Sequence, residues 1–424
     1  MKRALTSAIA VLMSALTLTA CSSSDGFSDS EKISAKYPRS KDISVTYNYA
    51  DGALEPPGSY NDFANSAGEF SLKLFRAYGS GKESFAFSPA STVLQLSMLC
   101  NAASPEVRSD ITNALGGTLS TDELNACCSY FKSRMESVSK EGGADWAKVR
   151  LDGAMLVDDS VEVKTSFLST AGNFYGYDIF RCDLDSENAE KKLNGYLKDY
   201  TQSSGIKFSE SDALGIVSAS EIKDGWLDLY ADSDVNDGVF KGSSGDRKTS
   251  FLTSNESALK TERSVGIVKY TADNPLKLVL AAPKGGESFD EYVKGFDYNE
   301  LSALLGSLDI TKKATAVIPE FTVERNSAAK PLSGAVKSSG LSSLLESQKS
   351  LSTLSYTTPA ALSEMYEVEP EFKLSRSGIN AKEESKAEKS GVVKTNETIC
   401  FDKPFIFLLI DNESNLPVTM GIYR

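Results

Sequence analysis

Histidine is absent from all 424 residues. That single absence excludes Ser-His-Asp and Cys-His nucleophile pairs, two-histidine zinc helices and histidine acid-base chemistry. A Ser-Lys dyad or a carboxylate pair survives it, but no spacing in the chain specifically points to either. Cysteine is sparse: Cys21, Cys100, Cys127, Cys128, Cys182 and Cys400, with no C-x-x-C pair. Without Cys21 an odd number remains, which does not make a disulfide framework; the five read as small buried hydrophobes. Positive charge is also short, with a net charge of -13. Nucleic acid needs a basic face, so it is not an expected partner. No cofactor or metal motif is present. After the first 21 residues no further apolar run suggests a membrane span.

The start of the chain reads as a targeting segment. Lys2 and Arg3 precede the apolar run Ala4–Ala20, which is short for a membrane span. The run ends Leu18-Thr19-Ala20-Cys21, and this looks like a bacterial lipoprotein box, with lipid carried on Cys21; the alternative is an ordinary signal peptide cut nearby. Acyl chains would be the membrane contact, and the rest would stand outside the cytoplasm, on the cell surface or released from it. Residues 22–58 are rich in Ser, Asp, Tyr and Pro without a sustained period, which reads as a flexible tether. Residues 59–424 then form one domain, with no repeats and no second boundary.

Periodicity assigns the elements of that domain. Phe63, Ala67, Phe70, Leu74 and Phe75 predict an amphipathic helix over 62–78. Phe85-Ala86-Phe87 reads as a strand, and Ser88-Pro89 opens a helix so apolar that it must be central. Further helices are expected at 107–115, 167–175, 188–201, 289–305 and 330–345, the last broken at Gly340. Strands are expected at 145–157, 216–222, 227–230, 251–254, 264–270, 276–282, 314–324, 371–375 and 401–410. Helices gather early and strands late, which predicts an α+β fold.

Between the last two strands lies a stretch of different character, GINAKEESKAEKSGVVKT from Gly378 to Thr395. A connection of that length inside a domain is functional or disordered. At period two, Ile379, Ala381, Glu383, Ser385 and Ala387 fall on one face and a wholly polar set on the other. A strand with one buried face is written this way. Ala, Lys and Glu are equally the residues of a short exposed helix or a solvated loop.

Several motifs, in order along residues 62–424, resemble the serpin family. They are Phe85-Ala86-Phe87-Ser88-Pro89-Ala90-Ser91, Phe174-Tyr175-Gly176-Tyr177-Asp178, Leu193-Asn194 through Thr201, Lys223-Asp224-Gly225-Trp226, Ile318-Pro319-Glu320-Phe321, and Asp402-Lys403-Pro404-Phe405 with Met420-Gly421. The resemblance implies three mostly antiparallel sheets, about nine helices and an exposed reactive-centre loop. It implies a serine protease inhibitor, not an enzyme, that traps an attacking protease as its cut loop inserts into the main sheet. Gly378, Ile379, Asn380, Ala381 and Glu383 would be the hinge. The family's loop length puts the scissile residue at Val392, counting back from Phe401 favours Val393, and the Lys394–Thr395 bond is within reach. Valine suits an elastase-like enzyme and lysine a trypsin-like one. The expected state is a monomer. Two departures stand out: Lys382-Glu383-Glu384 replaces the small residues usual after the hinge, and Arg376 stands where an acidic residue is usual. They favour, as the alternative, a non-inhibitory member acting as a binding or surface-interaction protein.

Overall fold

Phe85–Phe87 forms a strand laid antiparallel to Pro417–Tyr423, with Phe85 opposite Ile422. The chain then turns directly into the helix Pro89–Cys100, where Ser88 caps the first turn by accepting from Ser91 N–H at 3.2 Å. A capping serine with proline at the first helical position starts a helix from both sides of the boundary. Every residue of this helix is buried, as its unbroken apolar pattern requires. The computed structural model describes residues 26–38, 55–79, 81–137, 147–208, 212–357, 360–381 and 385–424.

The fold is α+β, with two large mixed sheets. The first has nine strands, in the order Phe85–Phe87, Pro417–Tyr423, Phe405–Asp411, Leu276–Pro283, Ser264–Tyr270, Gly245–Lys260, Lys313–Pro319 and Thr398–Cys400, with Val235–Gly242 also paired to Gly245–Lys260. The sixteen-residue strand Gly245–Lys260 is long enough to serve two groups of partners. Where the resemblance implied three sheets, this strand joins its partners into one ladder, and the described residues form two sheets.

The second sheet has eight strands and is built around Leu214–Gly225. One edge of that strand pairs along its length with Lys148–Asp158, which pairs in turn with Asp178–Cys182. Its other edge has two neighbours. Glu364–Val368 pairs parallel to the first half, from Glu364 opposite Gly215 to Val368 opposite Ala219. Gly378–Ile379 pairs antiparallel to the end, opposite Gly225 and Asp224.

Elsewhere the differences from expectation have local causes. Thr121–Ser137 is a helix that sequence reading passed over; its buried stripe is Leu124, Cys127, Cys128, Phe131 and Met135. Leu227–Tyr230 is not a strand: Trp226 makes one bridge to Thr271, after which Leu227 is exposed while Tyr230 anchors in the core. The expected helix 330–345 begins as the short strand Lys330–Pro331 and continues as short helical turns bent at Gly340, whose φ is 105°. Part of the stretch read as tether is docked. Phe27 stacks on Phe180 at 4.1 Å, Lys32 pairs with Asp178 at 2.6 Å, and Ser34 Oγ accepts from Ile179 N–H at 3.0 Å. These contacts lie along the outer strand Asp178–Cys182.

Among the described residues no helix is long and apolar enough to cross a membrane. Cys21 lies outside them. Cys100, Cys127, Cys128 and Cys182 are free and buried. Burial pushes the Cys127 thiol up to about 11 and that of Cys182 up to about 12, so both behave as apolar packing groups.

Candidate functional site

The stretch singled out by composition leaves the second sheet from inside it. Phe372–Ser375 turns back on itself, and Gly378–Ile379 lies between it and Leu214–Gly225, with Leu374 opposite Ile379 and Ser375 opposite Gly378. Gly378 sits at φ 148°, and a Cβ there would fall on the carbonyl oxygen of Asp224. Only glycine allows that backbone geometry and that approach. Ile379 is fully buried and fixes which side of this strand faces the core.

The turn is fastened from three directions. Trp226 Nε1 donates to the Ser375 carbonyl at 2.8 Å. Arg376 N–H donates to Glu320 Oε1 at 2.7 Å, and the Arg376 guanidinium pairs with Asp232 at 2.6 Å. Asp232 also receives Lys386 at 2.7 Å. Both cations hold the Asp232 carboxyl below its ordinary range, Lys386 foremost. The basic residue at 376 is thus matched by an acid on a neighbouring turn.

Asn380 ends the inserted segment. Its φ is 48°, a left-handed geometry that asparagine tolerates and that turns the chain out of the sheet. Its side chain replaces a strand. Nδ2 donates to the carbonyls of Ile222 at 2.8 Å and Glu371 at 2.9 Å, while Oδ1 accepts from Lys373 N–H at 2.8 Å. Ladder groups on both sides of the split are satisfied by one amide. Ala381 is half-buried beyond it. Glu383, the hinge position expected to face the core after insertion, lies outside the described residues.

Below the split the sheet is closed by the ladder of Glu364–Val368. Two buried carboxylates stand on or beside this strand. Glu369 accepts from the Tyr78 hydroxyl at 2.6 Å and from Lys82 Nζ at 2.8 Å. Glu367 accepts from Ser88 N–H at 2.5 Å, and its other oxygen has no hydrogen-bond partner among the described residues. Burial pushes the Glu367 carboxyl up to about 8.

From Ser385 to Glu397 the chain carries neither helix nor strand. Ser385 N–H donates to Ser377 Oγ at 3.0 Å, and Ala387 N–H to the Tyr230 carbonyl at 3.0 Å. Val392 is half-buried, and its N–H reaches Ser390 Oγ at 3.1 Å. Val393 and Lys394 are exposed. Thr395 is anchored: its hydroxyl accepts from Thr315 N–H at 2.9 Å and donates to the Glu397 carbonyl at 2.6 Å. Thr398–Cys400 then joins the first sheet parallel to Lys313–Pro319. The four scissile candidates thus lie together on one span between an anchor in each sheet. Cys400 is exposed but, with desolvation the largest cause, its thiol is raised rather than activated.

Sequence reading did not single out Asn255, Asp232 or Glu367. Each owes its place to residues distant in the chain, and nothing local to it gives a signal. Among the described residues no cluster of His, Cys, Asp and Glu could hold a metal.

The described residues thus form an α+β body with a long loop rooted at one end in a split sheet. The family model described as serpin (serine protease inhibitor) matches residues 65–424, and the chain belongs to that family, which is described as one of protease inhibitors rather than of enzymes. The human plasma serine protease inhibitor is 24% identical over 386 residues, covering 85% of this chain and 88% of that protein. The mouse plasma serine protease inhibitor is 26% identical over 178 residues, so the chain spans only 40% of that relative in the match. Among solved structures, the native state of the thermophilic serpin tengpin superposes with a TM-score of 0.77 at 22% identity, covering 92% of this chain and 98% of that one. Its latent state gives 0.69 at 22% identity, covering 87% and 99%. Human thyroxine-binding globulin gives 0.72 at 15% identity, covering 86% and 98%.

Proposed function

We propose that this chain is a serine protease inhibitor that works as a suicide substrate, held outside the cytoplasm by lipid on Cys21. The observation that carries this reading is the split in the second sheet: Gly378–Ile379 already occupies the gap that a longer inserted strand would fill. A target protease attacks the loop at one of the candidates from Val392 to Thr395. The protease serine forms an acyl bond to the residue on the amino-terminal side. The freed segment then follows Ile379 into the sheet, separating Glu364–Val368 from Leu214–Gly225 as it goes. The thirteen residues from Asn380 to Val392 span about 40 Å when extended, so the acylated end would come to lie about that far along the sheet from the hinge. Distortion at the end of that path stops hydrolysis of the acyl bond. The two valines fit an elastase-like target, and Lys394 a trypsin-like one.

The test is a denaturing gel of residues 22–424 incubated with one enzyme of each kind. A band near the summed mass supports the reading. Complete loop cleavage without that band contradicts it.

A second reading is a non-inhibitory serpin acting as a binding or surface-interaction protein. It is favoured by the Asn380 side chain, which satisfies both strand edges and so opposes further insertion. The charged run Lys382-Glu383-Glu384 acts in the same direction. Human thyroxine-binding globulin, a binding protein by name, superposes on the same fold. The sign of this reading is a loop that is cut without any rise in heat stability.

A further inference from the structure

Two adjacent valines present the same side chain to a protease pocket, so the pocket cannot choose between the bonds after Val392 and after Val393. The backbone can. Asn255, on the strand Gly245–Lys260, faces the loop with both ends of its amide. Its Oδ1 accepts from Val393 N–H at 2.6 Å, and its Nδ2 donates to the Val393 carbonyl at 3.0 Å. One side chain thus holds both backbone polar groups of Val393. Two residues on, Thr395 is held by Thr315, the residue opposite Asn255 in the sheet, so the pair of anchors is in register. The Val392 carbonyl makes no hydrogen bond among the described residues, while its N–H meets only the Ser390 hydroxyl.

A serine protease needs the carbonyl oxygen of the acyl residue in its oxyanion site. Val393 can fill that role only by giving up its carbonyl bond to Asn255. As the leaving residue it surrenders nothing before the bond breaks, because its carbonyl is not the one attacked. We propose that Asn255 is a specificity-determining positioning residue that directs cleavage to the Val392–Val393 bond. This rests on the reading of the loop as protease bait. In that step the protease serine oxygen bonds to the Val392 carbonyl carbon and the bond to Val393 nitrogen breaks. The proton taken from the serine by the protease base is returned to that nitrogen. The new amine of Val393 stays docked on Asn255 while Val392 leaves with the inserting segment.

The test is amino-terminal sequencing of the carboxy-terminal fragment after brief digestion of residues 22–424 with an elastase-like protease, in wild type and in Asn255→Ala and Asn255→Asp. The wild-type fragment is expected to begin almost entirely at Val393. In Asn255→Ala, fragments beginning at Lys394 should rise several-fold, to a share comparable with those beginning at Val393. Asn255→Asp keeps the shape and the acceptor but loses the donor to the Val393 carbonyl, and should fall between. Matching thermal melts establish that each variant is folded; if Asn255→Ala is not, the wild type and Asn255→Asp decide the matter. A wild-type fragment beginning at Lys394, or a distribution unchanged in a folded variant, overturns the proposal. The readout needs cleavage only, so a protein that is cut but never trapped defeats the inhibitory reading and leaves this one standing. A loop that the elastase-like protease does not cut overturns this proposal, and the inhibitory reading then stands or falls with the trypsin-like enzyme.

Discussion

The side-chain amide of Asn380 donates to the carbonyl of Ile222 at 2.8 Å, across the gap between two strands of the sheet that the loop must enter. With its bonds to Glu371 and Lys373, it closes the ladder just where the inserted segment stops. Further insertion requires all three bonds to break and the left-handed backbone at Asn380 to become extended. Asn380→Gly keeps the positive φ and removes only the amide. Hydrogen bonds of this kind contribute roughly 0.5–1.5 kcal/mol each. The variant should melt a few degrees lower in its native form and insert its loop faster. With a target protease, trapped complex should rise relative to cleaved protein. An unchanged melting point and an unchanged partition would show that the amide is not a stop.

Gly378 is the other fixed point of the hinge. Gly378→Ala places a methyl group on the Asp224 carbonyl at a φ of 148°. Strain of this kind costs about 1–3 kcal/mol. The variant should expel Gly378–Ile379 from the sheet. The measurement is limited proteolysis with a broad-specificity enzyme, which should gain a cut near residues 376–381 that the wild type resists.

The parity set by buried Ile379 carries Ala381 and Glu383 to the core side when the strand extends. An unpaired carboxylate there costs several kcal/mol or must take up a proton. Glu383→Ala should therefore speed insertion and shift the products from cleaved inhibitor toward trapped protease, read on the same denaturing gel. No shift would mean that the charged hinge is not what limits insertion.

The α+β class, the buried helix after Ser88 and most strands were legible because each carries its own period: two in the strands, close to 3.6 in the helices. The loop was legible through its composition. What lay outside the reach of the sequence was decided by register between distant segments. Asn380 read as one hinge residue among several, because its partners Ile222, Glu371 and Lys373 meet it only once the sheet has formed. Asn255 lies 138 residues from Val393, and nothing in its own surroundings marks it. The helix Thr121–Ser137 was missed for a different reason. Two of the residues in its apolar stripe are Cys127 and Cys128, which read as small buried hydrophobes without a helical period being assigned to the segment around them. Arg376 was read as a departure from the family pattern, and the salt bridge to Asp232 supplies the compensation that a local reading could not see.

Glu367 gives the protein a pH dependence of definite sign. Burial raises its carboxyl from an ordinary value of 4.5 to about 8. Between those values the folded protein holds a proton that the unfolded chain releases. Its contribution to stability is complete below the unfolded value and is lost as pH rises through the folded one. The groups that shape it are Ser88 N–H, Glu369 and Lys82. Glu367→Gln keeps an acceptor for Ser88 and removes the titration. Thermal melts from about pH 5 to about pH 9 should show the wild-type midpoint falling and the variant falling less, with the variant the more stable at the alkaline end. Parallel curves would place the titrating group elsewhere.

The central claim is that the loop becomes a strand of the second sheet once it is cut. The most direct measurement is the melting midpoint of residues 22–424 before and after cleavage confined to Val392–Thr395. A completed strand adds a full set of ladder bonds and buries one face of the segment, and the account predicts a rise of at least about 10 °C. An unchanged or lower midpoint in fully cleaved protein would contradict it, and would leave the loop as a surface feature of a body that does not open.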